Sequence, residues 1–440
     1  VDQSTRYDHN FYNQAGVDFD ERWNSFYAPS NQEREEEVYE FLCDKQEYVF
    51  LHEDIQRGFI VNRHYIDKKY KIVSPVSNGL NSENKFRFCD YRKVIENASE
   101  IHCIESSFCA LIESFKAALL QKINQPPTIH EVETTELKYG QVLVRNIVSG
   151  LCGAQLQEMR GHKGNEKFLP HMMGHEGCGV VEQVGEAVST VKKGDKVVLH
   201  WRKGTGIESP FPQYIYEDKT ISSGKVTTIS EYSIVSENRL TVVPDDADPY
   251  ICALLGCGMS TAFGVINNDA KVKFGESVLI LGCGGVGINL IQGAVLASAC
   301  PITVVDVNDK KKNLALSVGA TTFVSNGVGE LTGQSFDVII DTTGNPQVIE
   351  KTALLLGDGG RYIFVGQPPP ESEVRLLSPA KMWTPNGRVF KVSQGGNTSP
   401  DLDIPRYIKM YEAGIFAIDK IITHKFSLDQ TEEAFGVMLN

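Results

Sequence analysis

Three residues that can bind a transition metal stand far apart in this sequence, and each of them lies beside glycine. Cys152 stands in Ser-Gly-Leu-Cys-Gly, His175 in Gly-His-Glu-Gly and Cys257 in Gly-Cys-Gly. Two thiolates and one imidazole can hold Zn²⁺ and leave a fourth position open for water or substrate, as in a catalytic zinc site. Glu176 adds a carboxylate beside this set. Because no C-x-x-C spacing is present, the alternative is that both cysteines are small buried apolar residues.

A glycine-rich loop further along the chain predicts a nucleotide site. Gly282, Gly284 and Gly287 fit G-x-G-x-x-G, between an apolar run at 277–281 and a helix-like segment at 286–299. The first glycine permits the tight turn, the second lets the backbone approach a pyrophosphate, and the third lets helix and strand pack closely. Glycine triplets also arise in ordinary turns, but the strand before the loop and the helix after it favour a dinucleotide site.

An acidic residue at the end of the next predicted strand indicates which dinucleotide binds. Asp306 stands 19 residues after Gly287. Its carboxylate can accept a hydrogen bond from the adenosine ribose 2′-hydroxyl and would repel a 2′-phosphate. NAD is therefore predicted over NADP, although Lys310, Lys311 and Lys312 nearby favour the phosphate.

The elements that must position these residues form two patterns. Downstream of about residue 276, strand-like and helix-like segments alternate, which implies right-handed crossovers and a parallel sheet. These segments are 277–281, 286–299, 302–306, a helix from 309, 336–341, 346–356 and 361–365. Upstream, predicted strands at 116–120 and 141–148 and an alternating stretch at 129–132 are separated by turns. The expected fold class is α/β.

Composition limits the classes of function. The chain has 440 residues, 41% hydrophobic and 22% charged, which excludes a disordered or fibrous protein and suggests about three domains. A net charge of −13 argues against nucleic acid or an anionic membrane as the main partner. No apolar run reaches the roughly 20 residues that span a bilayer. Residues 1–20 lack an apolar block and the ten cysteines are scattered, so we expect a cytoplasmic location.

From about residue 116 to residue 440, the chain resembles the zinc-dependent medium-chain alcohol dehydrogenases. Residues 174–197, from Gly-His-Glu-Gly-Cys-Gly-Val-Val to Gly-Asp-Lys-Val, resemble their zinc signature. Residues 256–261 resemble the segment of the third ligand, and 282–287 the coenzyme loop. The resemblance implies a β-rich GroES-like catalytic domain at 116–267 and 396–440. That domain would be split around a Rossmann domain at 268–395, a doubly wound parallel sheet.

The resemblance also assigns roles to residues. Cys152, His175 and Cys257 would bind zinc, and Glu176 would be the neighbouring carboxylate, able to approach the metal. Coenzyme contacts would come from Thr261, Gly282, Gly284, Gly285, Val286, Gly287, Asp306, Lys311, Val365 and Gly366. The implied activity is transfer of a hydride between an alcohol and NAD, by a homodimer or homotetramer. The alternatives are a metal-free reductase of the same fold and a non-catalytic NAD-binding or scaffold protein.

The chain departs from the family pattern at four places. Residues 179–251 contain no cysteine, so the four-cysteine structural zinc of many members is not expected. Ala154 and Gln157 replace the usual hydroxyl and histidine of the proton relay, which leaves the route of the substrate proton open. Gln155 stands where an aspartate usually supports the zinc-bound histidine.

Two adjacent cations lie where the structural-zinc segment would begin. Arg202 and Lys203 follow Trp201 and could clamp a phosphate or carboxylate near the zinc, with a solvated turn as the alternative. Candidate substrates are therefore an alcohol such as a sugar, a polyol or an anionic derivative.

The first 115 residues differ from the rest and are expected to form a small α/β segment. Predicted elements are a strand at 47–51, a helix at 92–98, a strand at 100–104 and a helix at 105–115. The segment weakly resembles the nucleotide-sugar half of a glycosyltransferase. Ser106 and Ser107 would then either bind a phosphate or act as ordinary helix N-caps.

Overall fold

The computed structural model describes residues 32–43, 47–52, 69–73, 91–103, 114–164, 166–217, 219–375, 387–418 and 421–439. These residues belong to two compact units. The first comprises Val1–Phe115 with Glu131–Thr134 and Ile215–Thr220, and the second comprises the remainder of the chain.

The amino-terminal unit contains a three-stranded parallel sheet and two helices. Its helices are α1 (Gln32–Leu42) and α2 (Arg92–Glu96), and its strands are β1 (Tyr48–His52), β2 (Lys71–Val73) and β3 (Glu100–Cys103). The strand order is β2-β1-β3, and Val38, Phe50, Val73 and Val94 meet in one core. The predicted strands at 47–51 and 100–104 and the helix at 92–98 are confirmed. The glycosyltransferase resemblance stays a prediction, because Ser106 and Ser107 lie outside the described residues.

The helix predicted at 105–115 is wrong where it can be compared with the structure. Ser114 and Phe115 belong to β4 (Ser114–Leu120) instead. Every apolar residue of β4 from Phe115 to Leu120 is at most 3% exposed. Ser114 and Phe115 extend the strand that was predicted at 116–120, and neither residue is a strong helix former.

The β-rich part of the second unit is built around a five-stranded antiparallel sheet. The strands of this sheet are β6 (Gln141–Ser149), β8 (Glu176–Val184), β9 (Lys196–His200), β12 (Tyr232–Ser236) and β13 (Leu240–Val242), in the order β12-β6-β8-β9-β13, and they enclose a core of valines and leucines. The chain also forms the strands β5 (Thr128–Thr134), β7 (His171–Met172), β10 (Gln213–Tyr216) and β11 (Lys219–Ser223). The predicted strands at 116–120, 129–132 and 141–148 are confirmed.

Three short helices accompany this sheet. Helix α3 (Gly153–Met159) lies between β6 and β7, while α4 (Pro249–Leu255) and α5 (Gly258–Gly264) lead from β13 to the parallel sheet, and α5 continues as a π-helical turn, Val265–Ala270. Within the residues that the structure describes, no single helix is long and apolar enough to cross a membrane. One bent pair of helices, Pro249–Leu255 with Gly258–Ala270, has the length and apolar composition of a membrane span, by these two criteria alone.

The nucleotide-binding part is a six-stranded parallel sheet. Its strands are β14 (Val278–Leu281), β15 (Ile302–Val305), β16 (Thr322–Val324), β17 (Phe336–Asp341), β18 (Leu356–Phe364) and β19 (Val389–Val392), in the order β16-β15-β14-β17-β18-β19. The chain crosses between strands through α6 (Gly285–Leu296), α7 (Lys312–Ser317) and α8 (Pro346–Thr352). Separate apolar cores, one containing Ile280 and the other Leu279, cover the two faces. The sheet is therefore doubly wound, as predicted.

The element ends differ slightly from the prediction. The helix predicted at 346–356 ends at Thr352, and Ala353–Leu355 forms a short 3-10 turn before β18. Two more helices, α9 (Pro400–Glu412) and α10 (Thr431–Leu439), follow the sheet. All six parallel strands lie within 268–395, while the exact domain boundaries stay a prediction.

Candidate active site

The three predicted metal ligands converge at one place. The ligand atoms of Cys152, His175 and Cys257 all lie within 4.8 Å of one another. Cys152 is the residue that precedes α3, Cys257 precedes α5, and His175 stands immediately before β8. Three separate turns at element ends therefore supply the ligands, which explains why the sequence carries no compact metal motif.

The two thiols of this ligand set share a hydrogen bond. That bond holds the pKa of Cys152 well below its ordinary value despite burial, and His175 contributes to the lowering. The same bond, together with burial, raises the pKa of Cys257. Burial lowers the pKa of His175, but its contact with Cys152 outweighs burial and raises that pKa overall. A divalent cation here would stabilise both thiolates, because a coordinating thiol loses its proton.

Glu176 is a buried carboxyl group beside the ligands. It is 3% exposed, and its Oε2 accepts a hydrogen bond from the Gly258 N–H at 3.1 Å. Burial, together with the charge of Cys152, raises the pKa of Glu176 to about 8. A Cβ atom added at Gly150 would lie 2.7 Å from Glu176 Cδ, and one at Gly256 would lie 2.9 Å from Glu176 Cα. A side chain at Gly256 would therefore collide with the backbone of its neighbours, whereas a side chain at Gly150 would displace the side chain of Glu176.

Gln155 links two of the three ligands. Its side chain is completely buried, and its Oε1 accepts a hydrogen bond from the Cys152 N–H at 2.7 Å. Its Nε2 lies 3.0 Å from Nδ1 of His175. The position was predicted to support the histidine, but nothing in the sequence indicates the second bond to Cys152.

The glycine loop has the geometry that the motif predicts. Gly282 has a φ of +91°, which favours glycine, and Gly284 precedes the first turn of α6. A Cβ atom added at Gly287 would overlap the carbonyl oxygen of Gly282, so the third glycine allows the helix to approach the strand. The loop and Asp306 are in direct contact, since Asp306 Oδ2 accepts from the Cys283 N–H at 2.7 Å. The backbone thereby fixes the carboxylate at the edge of the sheet.

The other predicted coenzyme residues lie in two places. Lys311 Nζ is 3.0 Å from Asp306 Oδ2, while Gly285 and Val286 begin α6. Val365 and Gly366 follow β18, and both of their N–H groups donate to the Asp341 carbonyl oxygen at the end of β17. Thr261 lies beside the metal ligands instead, one turn of α5 beyond Cys257, and its N–H donates to the Cys257 carbonyl oxygen at 2.9 Å.

A narrow cleft opens beside Cys257. His200, Trp201, Arg202, Thr261, Thr398 and Pro400 line it, together with other residues of α4 and α5. Arg202 lies against the Trp201 ring and donates to the carbonyl oxygens of Gln394 and Thr398. Lys203 pairs instead with Glu208 at 3.2 Å. Both cations of the predicted anion clamp are thus engaged within the protein.

Comparisons with known proteins agree with this arrangement. The zinc-binding dehydrogenase model matches residues 285–412, and the alcohol dehydrogenase GroES-like domain model matches residues 138–245. Alcohol dehydrogenase 6 of Peromyscus maniculatus is 32% identical over 360 residues, covering 74% of this chain and 95% of that protein. The S-(hydroxymethyl)glutathione dehydrogenase of Komagataella pastoris is 30% identical over 364 residues, covering 73% of this chain and 94% of that protein. This chain belongs to the zinc-dependent medium-chain alcohol dehydrogenases.

A solved structure shows the same fold. The dehydrogenase is similar to the crystal structure of 2R,3R-butanediol dehydrogenase from Bacillus subtilis, with a TM-score of 0.60 and 25% identity. The similarity covers 74% of this chain and 96% of that one. These matches confirm the predicted family, the GroES-like and Rossmann folds and the alcohol dehydrogenase activity, and they support neither a metal-free reductase nor a scaffold protein.

The donor set of the dehydrogenase fits zinc. Two cysteines and one histidine with clustered ligand atoms form a three-residue set that leaves one coordination position open. Within the described part of the chain, no second group of three or more cysteine, histidine or acidic side chains is close enough to hold a metal.

Hydrogen bonds and ion pairs between charged side chains join residues of the segment in which many family members bind a structural zinc. Glu208 accepts from Arg239 at 3.0 and 3.1 Å and lies 3.2 Å from Nζ of both Lys203 and Lys225. Arg239 also donates to the Trp201 carbonyl oxygen in the cleft wall. This Glu208 cluster is not apparent from the sequence, because its members lie up to 36 residues apart.

A second buried charge was missed by the sequence analysis. The Asp269 side chain, in the π-helical turn after α5, is 0% exposed and lies 2.6 Å from Lys391 Nζ. It also accepts hydrogen bonds from Ser393 Oγ and Asn397 Nδ2, each at 2.6 Å. Asp269 therefore anchors residues 391–398, the return segment, through which the chain leaves the parallel sheet towards the cleft. The only signal in the sequence is a lone acidic residue after an apolar helix.

Proposed function

We propose that the dehydrogenase holds one zinc per chain at Cys152, His175 and Cys257 and uses NAD to oxidise alcohols or to reduce the corresponding carbonyl compounds. The observation that carries the proposal is the convergence of these ligands beside a cleft, in a chain whose glycine loop contacts Asp306. When bound, zinc polarises the substrate oxygen and lowers the pKa of the hydroxyl group.

The residues of the chain supply the remaining parts of the site. Gly282–Gly287 and the start of α6 present N–H groups to a pyrophosphate. Asp306 accepts from the adenosine ribose, and its charge disfavours NADP. Trp201 and Thr261 line the small cavity beside Cys257, next to the position from which a substrate oxygen would reach the metal. Glu176 lies buried beside the ligands, where its carboxylate can accept the proton of the alcohol.

The contacts of the cleft favour an uncharged substrate. Arg202 is bonded to two backbone carbonyl groups and Lys203 to Glu208, so an anionic substrate would have to break these contacts. Among the candidate substrates, an uncharged alcohol or polyol therefore fits better than an anionic derivative.

Assembly and location complete the proposal. The edge strand β19 exposes Val389 by 47% and Val392 by 77%, which supports pairing of two copies in a homodimer or homotetramer. The ten scattered cysteines of the chain support a reducing compartment such as the cytoplasm.

An absorbance assay tests the proposed activity. Purified protein with one zinc, measured by elemental analysis, should form NADH from NAD with at least one member of a panel of primary alcohols, secondary alcohols and polyols. Protein that binds zinc and NAD but shows no turnover with any alcohol or aldehyde would contradict it.

A further inference from the structure

The amide of Gln155 has a defined orientation. One of its two terminal atoms accepts a hydrogen bond from the Cys152 N–H at 2.7 Å, and only the amide oxygen can accept. The other terminal atom, 3.0 Å from Nδ1 of His175, must therefore be the NH₂ group. An NH₂ group donates, so Nδ1 of His175 is the acceptor in this arrangement and carries no proton.

This orientation does not suit a histidine that binds a metal. Nδ1 faces Gln155, so Nε2 is the ring nitrogen left for the metal, and the neutral metal-bound ring carries its proton on Nδ1. Metal-bound histidines donate that N–H to an acceptor such as a carboxylate or a carbonyl group. In the structure, the NH₂ group of Gln155 faces His175 Nδ1, because the Gln155 amide oxygen already accepts the hydrogen bond from the Cys152 N–H.

We propose that zinc binding inverts the Gln155 amide, so that its oxygen accepts from His175 Nδ1–H and its bond to the Cys152 N–H is lost. Gln155 is completely buried, so solvent cannot replace the lost bond at its side chain. Gln155 is thus a positioning residue that opposes metal loading, and it makes the zinc of this dehydrogenase more exchangeable than a carboxylate would. The inference rests on the proposed zinc site.

The proposal predicts that a carboxylate in place of the Gln155 amide strengthens zinc binding. In Gln155→Glu, both oxygens accept, so the side chain can bond the Cys152 N–H and His175 Nδ1–H at once and needs no inversion. We expect Gln155→Glu to bind zinc about 10- to 100-fold more tightly than the wild type, in competition with a chromophoric chelator. Gln157→Glu, two residues along α3 and bonded to His162, is the control for added charge and should change the affinity by less than about threefold.

A second measurement uses the wild type alone. The proton chemical shift of the Cys152 amide should move upfield when zinc is added, since this N–H loses its acceptor, and in Gln155→Glu it should stay downfield with and without zinc. The proposal is overturned if Gln155→Glu binds zinc no more tightly than the wild type or than Gln157→Glu. It is also overturned if zinc leaves the proton chemical shift of the wild-type Cys152 amide as far downfield as in Gln155→Glu.

The same titration separates this proposal from the one on which it rests. A wild type that binds one zinc, with a Gln155→Glu variant of unchanged affinity, overturns the amide inversion and leaves the zinc site intact. A wild type that binds no zinc overturns both.

Discussion

At the scale of single residues, the site is decided by a few buried polar groups. Cys152, His175 and Cys257 bring their ligand atoms within 4.8 Å of one another, and Glu176 lies buried beside them. Cys252 offers a comparison within the same chain, because it is a buried free thiol that does not belong to the ligand set.

Replacement of a ligand should remove the metal. We expect Cys257→Ser to lose most of its zinc and more than about 99% of its activity, since hydroxyl oxygen is a poor zinc ligand compared with thiolate. Cys252→Ser should keep its zinc, as measured by elemental analysis after dialysis. Equal zinc in the two variants would remove Cys257 from the ligand set.

The proton route is a second matter for single residues. Ala154 cannot carry a proton, and Gln157 is bonded to His162 and has no titrating group. If Glu176 accepts the proton through water, Glu176→Gln should abolish the rise of kcat with pH that ionisation of this carboxyl group would produce.

The relay can also be rebuilt. Ala154→Ser combined with Gln157→His should shift the pH–rate profile more than it shifts KM. If neither this double variant nor Glu176→Gln alters the profile, the proton leaves by another route and the role of Glu176 is withdrawn.

At the scale of elements, turns at the ends of strands and helices bring distant residues together. The glycine loop connects β14 to α6, and the end of β15 supplies Asp306, whose carboxylate is held by Cys283 and Lys311. The return segment is held against α5 in a similar way by Asp269.

Coenzyme choice belongs to this scale. We expect the wild type to bind NADH more tightly than NADPH, and Asp306→Ala to reduce that preference by about tenfold or more, because the 2′-phosphate then meets Lys311 without the carboxylate. Fluorescence titration with both coenzymes measures it. Tighter binding of NADPH by the wild type would show that the lysines outweigh Asp306.

The role of Asp269 as the anchor of the return segment can be tested by removing its charge. Asp269→Asn removes the charged acceptor of the Ser393 and Asn397 hydrogen bonds and the partner of Lys391, so we expect a loss of about 1–3 kcal/mol in the free energy of unfolding. Urea denaturation measures this loss. Asp401→Asn, which removes a charge from an exposed hydrogen bond with Thr205, should cost less than about 1 kcal/mol. Similar losses in the two variants would show that Asp269 is not an anchor.

These elements show what the sequence could and could not predict. The glycine loop and β15 were predictable because their signals are local and periodic. The Asp269 anchor joins residues more than 120 positions apart, and the hydrogen bonds of Gln155 depend on the orientation of an amide, so neither leaves a pattern in the chain. The wrong helix at 114–115 is an error of element ends, since Ser114 and Phe115 extend the predicted strand at 116–120 by two residues.

At the scale of the whole molecule, buried histidines link stability to pH. His200 is 1% exposed, and its ring nitrogens are bonded to the Arg202 carbonyl oxygen and the Thr241 hydroxyl. Burial lowers its pKa to about 4, from an ordinary value of 6.5.

The sign of the effect follows from this lowering. Below pH 6.5 the unfolded chain takes up a proton that the folded chain excludes until about pH 4, so stability is full above pH 6.5 and falls as the pH decreases. The total loss from His200 is about 3 kcal/mol. In metal-free protein, His200→Gln should lose correspondingly less stability between pH 6.5 and 4 than the wild type, measured by urea denaturation. Parallel curves over this range would contradict the effect, whereas above pH 7 the two curves should run parallel.

The Glu208 cluster has a consequence for how the dehydrogenase survives the loss of its metal. Through Arg239 and the Trp201 carbonyl group, the wall of the cleft is fastened by fixed charges of the chain itself. Neither a chelator nor a thiol oxidant acts on those charges. We therefore expect the wall of the cleft to keep its shape when the metal is removed, so that zinc added back to the metal-free protein should restore activity without a refolding step.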